Sequence, residues 1–344
     1  MTEAISRQAL LELVDAWLGQ GKRVFAPVQV KPGLDLYEWI QKSSQVHLDS
    51  SVRPANSIKE AVFPRHEKLY DYRYAGKQIE LIGAAPPETP QIVLGARPCD
   101  AAAFEILDPV FNWDEADGFY NHWRRLTTVV SLACQGHDNH CFCTSVGLGP
   151  DSPRGADAML VDLGDDRYEV RTFSPKGIAI FAGRTESTAE AAAVAPGPPK
   201  RFDVESIRRC LPEAFEKFPW PAMSLRCLGC GACAYACPTC HCFDIVDEGD
   251  ARGGCRARNW DTCQFAMFTQ HASGHNPRSQ QGQRQRQRIF HKFRMYPDKF
   301  GEVLCTGCGN CTRVCPAALG VRPILERIEN STESQTVGRV STPS

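Results

Sequence analysis

Apolar residues recur at helical intervals at the start of the chain, with Ile5, Leu10, Leu13, Val14 and Trp17 on one face, so a helix is expected over 3–18. Past the "GQGK" turn, "RVFAPVQV" is rich in β-branched and apolar residues and predicts a strand. "QIVLGA" (91–96) and "TTVVSL" (127–132) read as buried strands, separated by the helical stretch "AAAFEILDPVF". In "AMLVDLGDDRYEVRTF" a Gly-Asp-Asp turn joins two strand-like runs, which predicts a hairpin flanking the sheet. From residue 184 the chain turns to Ala, Glu, Pro and Gly, and "APGPPK" (195–200) ends a short helix. The pattern gives a mixed α/β domain over 1–200. A mainly α-helical, ferredoxin-like, cysteine-rich domain follows over 201–329. The polar stretch from 330 to 344 is expected to be a disordered tail.

Composition narrows the classes. The 344 residues suffice for about two domains, and 42% of them are hydrophobic, ordinary for a globular protein. A formal charge of -1 offers no global field to nucleic acid or an anionic membrane. No apolar run approaches the roughly 20 residues of a membrane helix, and the first residues lack the basic start of a signal peptide. The expected compartment is the cytoplasm, where 17 cysteines serve better as metal ligands than as disulfides.

Those cysteines are clustered. Cys227, Cys230, Cys233 and Cys237, followed by Pro238, spell C-x2-C-x2-C-x3-C-P, and Cys305, Cys308, Cys311 and Cys315, followed by Pro316, spell it again. In this pattern three thiolates converge on one cubane and the fourth ligates the neighbouring cluster. The expected sets are therefore Cys227, Cys230, Cys233 and Cys315 for one [4Fe-4S] cluster, and Cys305, Cys308, Cys311 and Cys237 for the other. Gly229, Gly231, Gly307 and Gly309 let the backbone wrap closely around each core. Zinc ribbons would instead need separated C-x2-C pairs.

A further set lies in the first domain. Cys99 follows one predicted strand, and Cys134, Cys141 and Cys143 follow another, at the sheet edge where α/β ligand sites occur. Cys99 also stands at a helix start, where the dipole lowers a thiol's pKa. The expectation is a third iron–sulfur cluster on these four, with Asp100 or His140 standing in for one thiolate. The competing readings are buried apolar cysteines or a structural zinc.

Cys240, Cys242, Cys255 and Cys263 lie between the repeats and either bind further metal or pack against the first cluster. The run "HNPRSQQGQRQRQRIFHKFR" carries Arg278, Arg284, Arg286, Arg288, Lys292 and Arg294. Beside anionic clusters it reads as tuning or docking charge before a solvated face or a nucleic-acid surface. Trp260, Phe265 and Phe268 are expected to cover the clusters, and His271, His275 and His291 are not assigned as ligands. Neither a G-x-G-x-x-G nor a G-x-x-x-x-G-K-[ST] motif occurs, and no residue is assigned a catalytic role.

The segments "SIKEAVFPRHEKLYDY", "LGARPCDAAAFEILDPVF", "CFCTSVGLGP", "CPTCHCFDI", "RARNWDTCQFAMFTQHASGHNPR" and "RQRQRIFHKFRMY" stand in the same order as in a known family. The chain resembles the beta subunit of cytoplasmic NiFe hydrogenases of the sulfhydrogenase type and the related A subunit of anaerobic sulfite reductase. The resemblance implies an electron-transfer subunit of a hetero-oligomeric oxidoreductase. It would relay electrons between a flavin-containing, NAD(P)-handling subunit and a catalytic metal subunit, either NiFe hydrogenase or sirohaem sulfite reductase. No cysteine precedes Cys99, so the paired C-x2-C motifs of a nickel centre must lie on a partner. The reading from a different class is a sulfur-compound reductase acting at an exposed cluster of this chain. Neither nucleic-acid binding nor membrane insertion is expected.

Overall fold

The computed structural model describes residues 2–84 and 86–337. The chain opens on a strand, β1 (Thr2–Ser6), and only then enters helix α1 (Arg7–Gly19). Ser6 ends the strand because its hydroxyl caps the helix, accepting from the Ala9 N–H at 3.1 Å. The expected helix over 3–18 therefore starts four residues late. Ile5 belongs to the sheet, whereas Leu10, Leu13, Val14 and Trp17 form the buried face of α1 as expected.

β2 (Arg23–Lys31), β3 (Leu34–Ile40), β4 (His66–Ala75), β5 (Gln78–Gly83) and β6 (Gln91–Ala96) follow, then α2 (Pro98–Leu107), α3 (Gly118–Leu126) and β7 (Thr127–Leu132). β8 (Ala158–Gly164), β9 (Arg167–Thr172), α4 (Pro175–Phe181) and β10 (Glu186–Thr188) complete the first half. Eight strands form one sheet in the order β10-β1-β9-β8-β7-β6-β2-β3. Its centre, β2, β6, β7 and β8, is parallel, and the outer pairs are antiparallel. All six residues of β6 are buried, because helices cover both faces. Ile92 and Leu94 meet α1, while Val93 meets the face carrying Phe104 of α2 and Trp123 of α3.

The expected β8–β9 hairpin forms, turning on Asp165 (φ 50°) and Asp166 (φ 54°), the paired left-handed residues of a type I′ turn. It does not flank the sheet, because β1 and β10 pair beyond it. The short helix expected after residue 184 is absent. β10 stands there, and extended chain runs to residue 203.

The second half adds α5 (Val204–Lys217), α6 (Trp220–Met223), α7 (Ala232–Tyr235), β11 (Phe243–Asp250), β12 (Gly253–Trp260) and α8 (Gln281–Phe290). A π-helical turn over His291–Met295, α9 (Tyr296–Phe300), α10 (Asn310–Arg313) and α11 (Val321–Val337) close it. α11 carries helix through residues 330–337, the first part of the stretch expected to be a disordered tail. Residues 338–344 lie outside the described residues. Ile207 and Leu211 of α5 pack with Ile324 and Ile328 of α11 and Phe290 of α8 in a core that includes Cys305 and Cys311.

This half is not helical throughout. The β11–β12 hairpin joins β4 and β5 in a four-stranded antiparallel sheet ordered β11-β12-β4-β5, so strands from both halves share one ladder. The buried Arg258 ties it down, bonding Glu67 at 2.5 Å and pairing with Asp117. Trp260 packs on Phe63 of the first half and donates its indole N–H to the Phe63 carbonyl at 2.9 Å. It serves as a clasp between the halves, where the sequence reading gave it to cluster cover.

Candidate metal centres

The two cysteine repeats fold alike. Gly229 and Gly307 have φ of 67° and 66°, and Gly231 and Gly309 have φ of 73° and 78°. Each second glycine caps a one-turn helix, α7 or α10, that carries the third cysteine of its loop. The left-handed backbone at these positions is what the sequence pattern expected of glycine.

The last thiol of the first repeat reaches toward the second. Cys237 lies near enough to Cys305 and Cys308 that each of them feels its charge. Cys315, like Cys227 and Cys233, packs on the core of the second half, and the Leu319 N–H points at its sulfur at 3.3 Å. The structure thus gathers Cys237 with Cys305, Cys308 and Cys311, and Cys227 with Cys233. Burial pushes the Cys233 thiol up to about 11 and that of Cys305 to about 12, so a ligand role requires metal to displace the proton.

One helical stripe faces these loops. Gln281, Gln285, Arg288 and Lys292 fall at i, i+4, i+7 and i+11 along α8 and the π turn, a single face. Gln281 and Gln285 aim their Nε2 atoms at the Cys227 sulfur, at 3.2 and 3.1 Å. Lys292 Nζ lies 3.5 Å from the Cys237 sulfur and donates to Thr239 Oγ1 at 2.9 Å and the Leu304 carbonyl at 3.0 Å. Arg288 and Lys292 are each 2% exposed. Burial works against both charges, yet nearby thiolates raise both pKa values: Cys233 and Cys311 for Arg288, Cys237 and Cys240 for Lys292. Arg288 makes one bond, to the Leu319 carbonyl at 3.4 Å, and its Nε and Nη2 have no protein partner. Buried donors left over among cysteine sulfurs fit an anionic iron–sulfur core as their missing acceptor. The basic run thus turns its charge inward at Arg288 and Lys292. Elsewhere it is engaged as well, with Arg284 bonded to the Arg278 and Ser279 carbonyls and Arg286 stacked 3.8 Å over Phe215. Sequence reading picked out the charges but missed the two glutamines, which the same spacing would have found.

In the first half, Cys99, Cys134, Cys141 and Cys143 line a single small pocket together with Arg53 and Cys308. Arg53 Nη1 lies 3.6 Å from the Cys134 sulfur, and Arg313 Nη2 lies 3.1 Å from that of Cys141. Arg313 is braced by Asp138 at 2.6 Å, and this ion pair holds the Asp138 carboxyl low against its partial burial. Asp100 and His140 do not line the pocket. Asp100 accepts from the Tyr37 hydroxyl at 3.3 Å, and burial lifts its pKa to about 7. Cys99 is in the first turn of α2, as expected, but burial outweighs the helix dipole and drives its thiol pKa up. Among the described residues, no three His, Cys, Asp or Glu side chains converge tightly enough to hold a lone metal ion.

The pocket and the second repeat share a wall. A Cβ on Gly307 would stand 2.5 Å from the Cys143 Cα, one on Gly309 would stand 2.5 Å from the His140 carbonyl oxygen, and the Phe142 N–H donates to the Gly307 carbonyl at 2.9 Å. Cys230, by contrast, is exposed, and its loop carries the exposed Leu225 and Leu228.

Five other thiols lie outside these sets, Cys210 among them, buried in the core with Ile207 and Leu211. Cys240 bonds the Cys237 sulfur, Cys242 bonds Cys263, and Cys255 sits in β12 opposite Glu248. The hydrogen bond from Cys242 brings the Cys263 pKa down to about 6.

Paired ferredoxin-type loops, sulfur-directed donors and buried cations define an iron–sulfur electron-transfer subunit. Residues 226–319 match the 4Fe-4S dicluster domain family. The chain is 31% identical over 251 residues to sulfhydrogenase 2 subunit beta of Pyrococcus furiosus, a match covering 69% of this chain and 73% of that protein. It belongs to the sulfhydrogenase beta-subunit family. No solved structure matches it. Among the described residues, no helix is long and apolar enough to cross a membrane.

Proposed function

We propose that the chain is the electron relay of a cytoplasmic NiFe hydrogenase complex of the sulfhydrogenase type. It would pass electrons between a flavin-containing, NAD(P)-handling subunit and the catalytic nickel–iron subunit. Cys227, Cys230, Cys233 and Cys315 would hold one [4Fe-4S] cluster, Cys305, Cys308, Cys311 and Cys237 a second, and Cys99, Cys134, Cys141 and Cys143 a third. Such clusters supply one-electron redox chemistry. The chain's own residues set the conditions: Gln281, Gln285, Arg288 and Lys292 direct donors and charge at sulfur, Arg53 and Arg313 do so at the inner pocket, and the surrounding core excludes water.

The observation that carries this reading is the buried Arg288, whose two unpartnered nitrogens face no carboxylate and lie among cysteine thiols. The match to a hydrogenase beta subunit favours hydrogenase as the terminal enzyme. Iron analysis of anaerobically purified wild type should give about 12 iron atoms per chain, and Cys141→Ser should give about 8. A value near eight in both removes the third cluster. A wild type holding zinc in place of iron removes the relay.

A further inference from the structure

Cys242 and Cys263 belong to neither ferredoxin-type loop nor to the inner pocket. Their meeting follows from strand register: Phe243 pairs with Trp260 at the last rung of the β11–β12 ladder, and the Asp261 N–H donates to the Cys242 carbonyl at 3.0 Å. The chains leaving that rung bring the two thiols side by side, close enough for one to hydrogen-bond the other. Gln264 Nε2 lies 3.5 Å from the Cys263 sulfur. Both thiols are half-buried and open onto a surface groove of about 530 Å³, lined also by His241, Phe268, Arg278 and His291. On the inner side, Cys233 of the first loop feels the charge of Cys263, and so do Arg288 and Lys292.

The geometry points to a dithiol–disulfide couple at Cys242 and Cys263, a port where one-electron carriers inside the protein meet a two-electron disulfide substrate in the groove. This inference rests on the relay reading. Cys263 gives up its proton to solvent and its thiolate attacks one sulfur of the substrate disulfide; the S–S bond breaks, the first thiolate leaves, and a mixed disulfide remains on Cys263. Cys242 then gives up its proton and attacks that mixed disulfide. The second thiolate leaves, and a Cys242–Cys263 disulfide forms. Two electrons, taken singly from two reduced clusters, and two protons restore the dithiol. Arg278 at the groove gives the site a preference for an anionic disulfide.

The test uses the anaerobic full-length holoprotein, reduced with dithionite and desalted, then mixed with either oxidised glutathione or oxidised benzyl viologen while cluster absorbance is followed. Oxidised glutathione should reoxidise wild type, with one disulfide consumed per two electrons released. Cys263→Ser and Cys242→Ser should slow that reaction by about tenfold or more, keep their full iron content, and react normally with benzyl viologen. In Cys242→Ser, mass mapping should find glutathione on Cys263. Variants as fast as wild type with oxidised glutathione overturn the port, and so does a loss of about four iron atoms on either substitution, which would make the pair cluster ligands. Failure of wild type with both acceptors overturns the relay reading itself.

Discussion

At the scale of single residues, Arg288 is the group with the largest expected effect. It places a positive charge among the cysteine sulfurs of both repeats, in a core that excludes water. Such a charge favours the reduced, more negative state of a centre beside it. At roughly 8 Å and an effective dielectric near 20, it is worth about 2 kcal/mol, or about 90 mV for one electron. Arg288→Met should lower the reduction potential of the affected cluster by about that much in a redox titration followed by electron paramagnetic resonance, and Arg288→Lys should restore most of it. His291 carries a pH prediction. Burial, then the neighbouring Lys292, depresses its pKa to about 4, and burial, then His291 itself, takes His241 to about 3. An unfolded histidine titrates near 6.5. The native state therefore binds fewer protons than the unfolded chain between about pH 4 and 6.5, and stability should fall on acidification through that window, by up to about 1.4 kcal/mol per pH unit for each group. Urea unfolding at pH 7 and pH 5.5 should show the loss, and His291→Gln should remove about half of it, His241 carrying the rest.

At the scale of elements, the loop 305–309 is tied to the first half through its glycines. Gly307→Ala puts a side chain on a backbone with φ of 66° and drives it into Cys143. It should cost about 2–3 kcal/mol or more, read as a fall in the denaturant midpoint. Which elements were legible follows from where each strand finds its partners. β6 and β7 carry apolar residues for two covered faces, so each announces itself locally. β1 does not, because five residues with two inward side chains merge by eye into the helical pattern that follows, and only Ser6 marks the change. β4, β5 and β11 bury little, β5 leaving Ile79, Leu81 and Ile82 exposed, and their ladder depends on partners far away in sequence. The site divides in the same way. Two repeats of fixed spacing made the loops legible, and the left-handed glycines agree with them. The gathering of Cys99, Cys134, Cys141 and Cys143 in one pocket follows from two parallel strands ending side by side, and was readable as far as those strands were. The meeting of Cys242 with Cys263 depended on a hairpin that no apolar alternation advertised.

At the scale of the whole molecule, the ladder shared by the two halves is pinned by the buried pair of Arg258 with Glu67. Arg258→Met leaves Glu67 charged and unpaired in the core, and should cost about 3–5 kcal/mol in chemical denaturation. Adding Glu67→Gln should recover part of that loss, since the stranded charge is then gone.

The wall shared by the inner pocket and the second cysteine loop also bears on how the protein is built. Gly307 and Cys308 close one side of that pocket, and Pro196, Gly197 and Pro198 lie along another. If the third cluster proposed for Cys99, Cys134, Cys141 and Cys143 is present, these segments stand around it, and installing it before they dock would give maturation a sequence in time. Cys230 in its exposed loop stays open to solvent, while Cys99, Cys134 and Cys141 lie buried behind that wall.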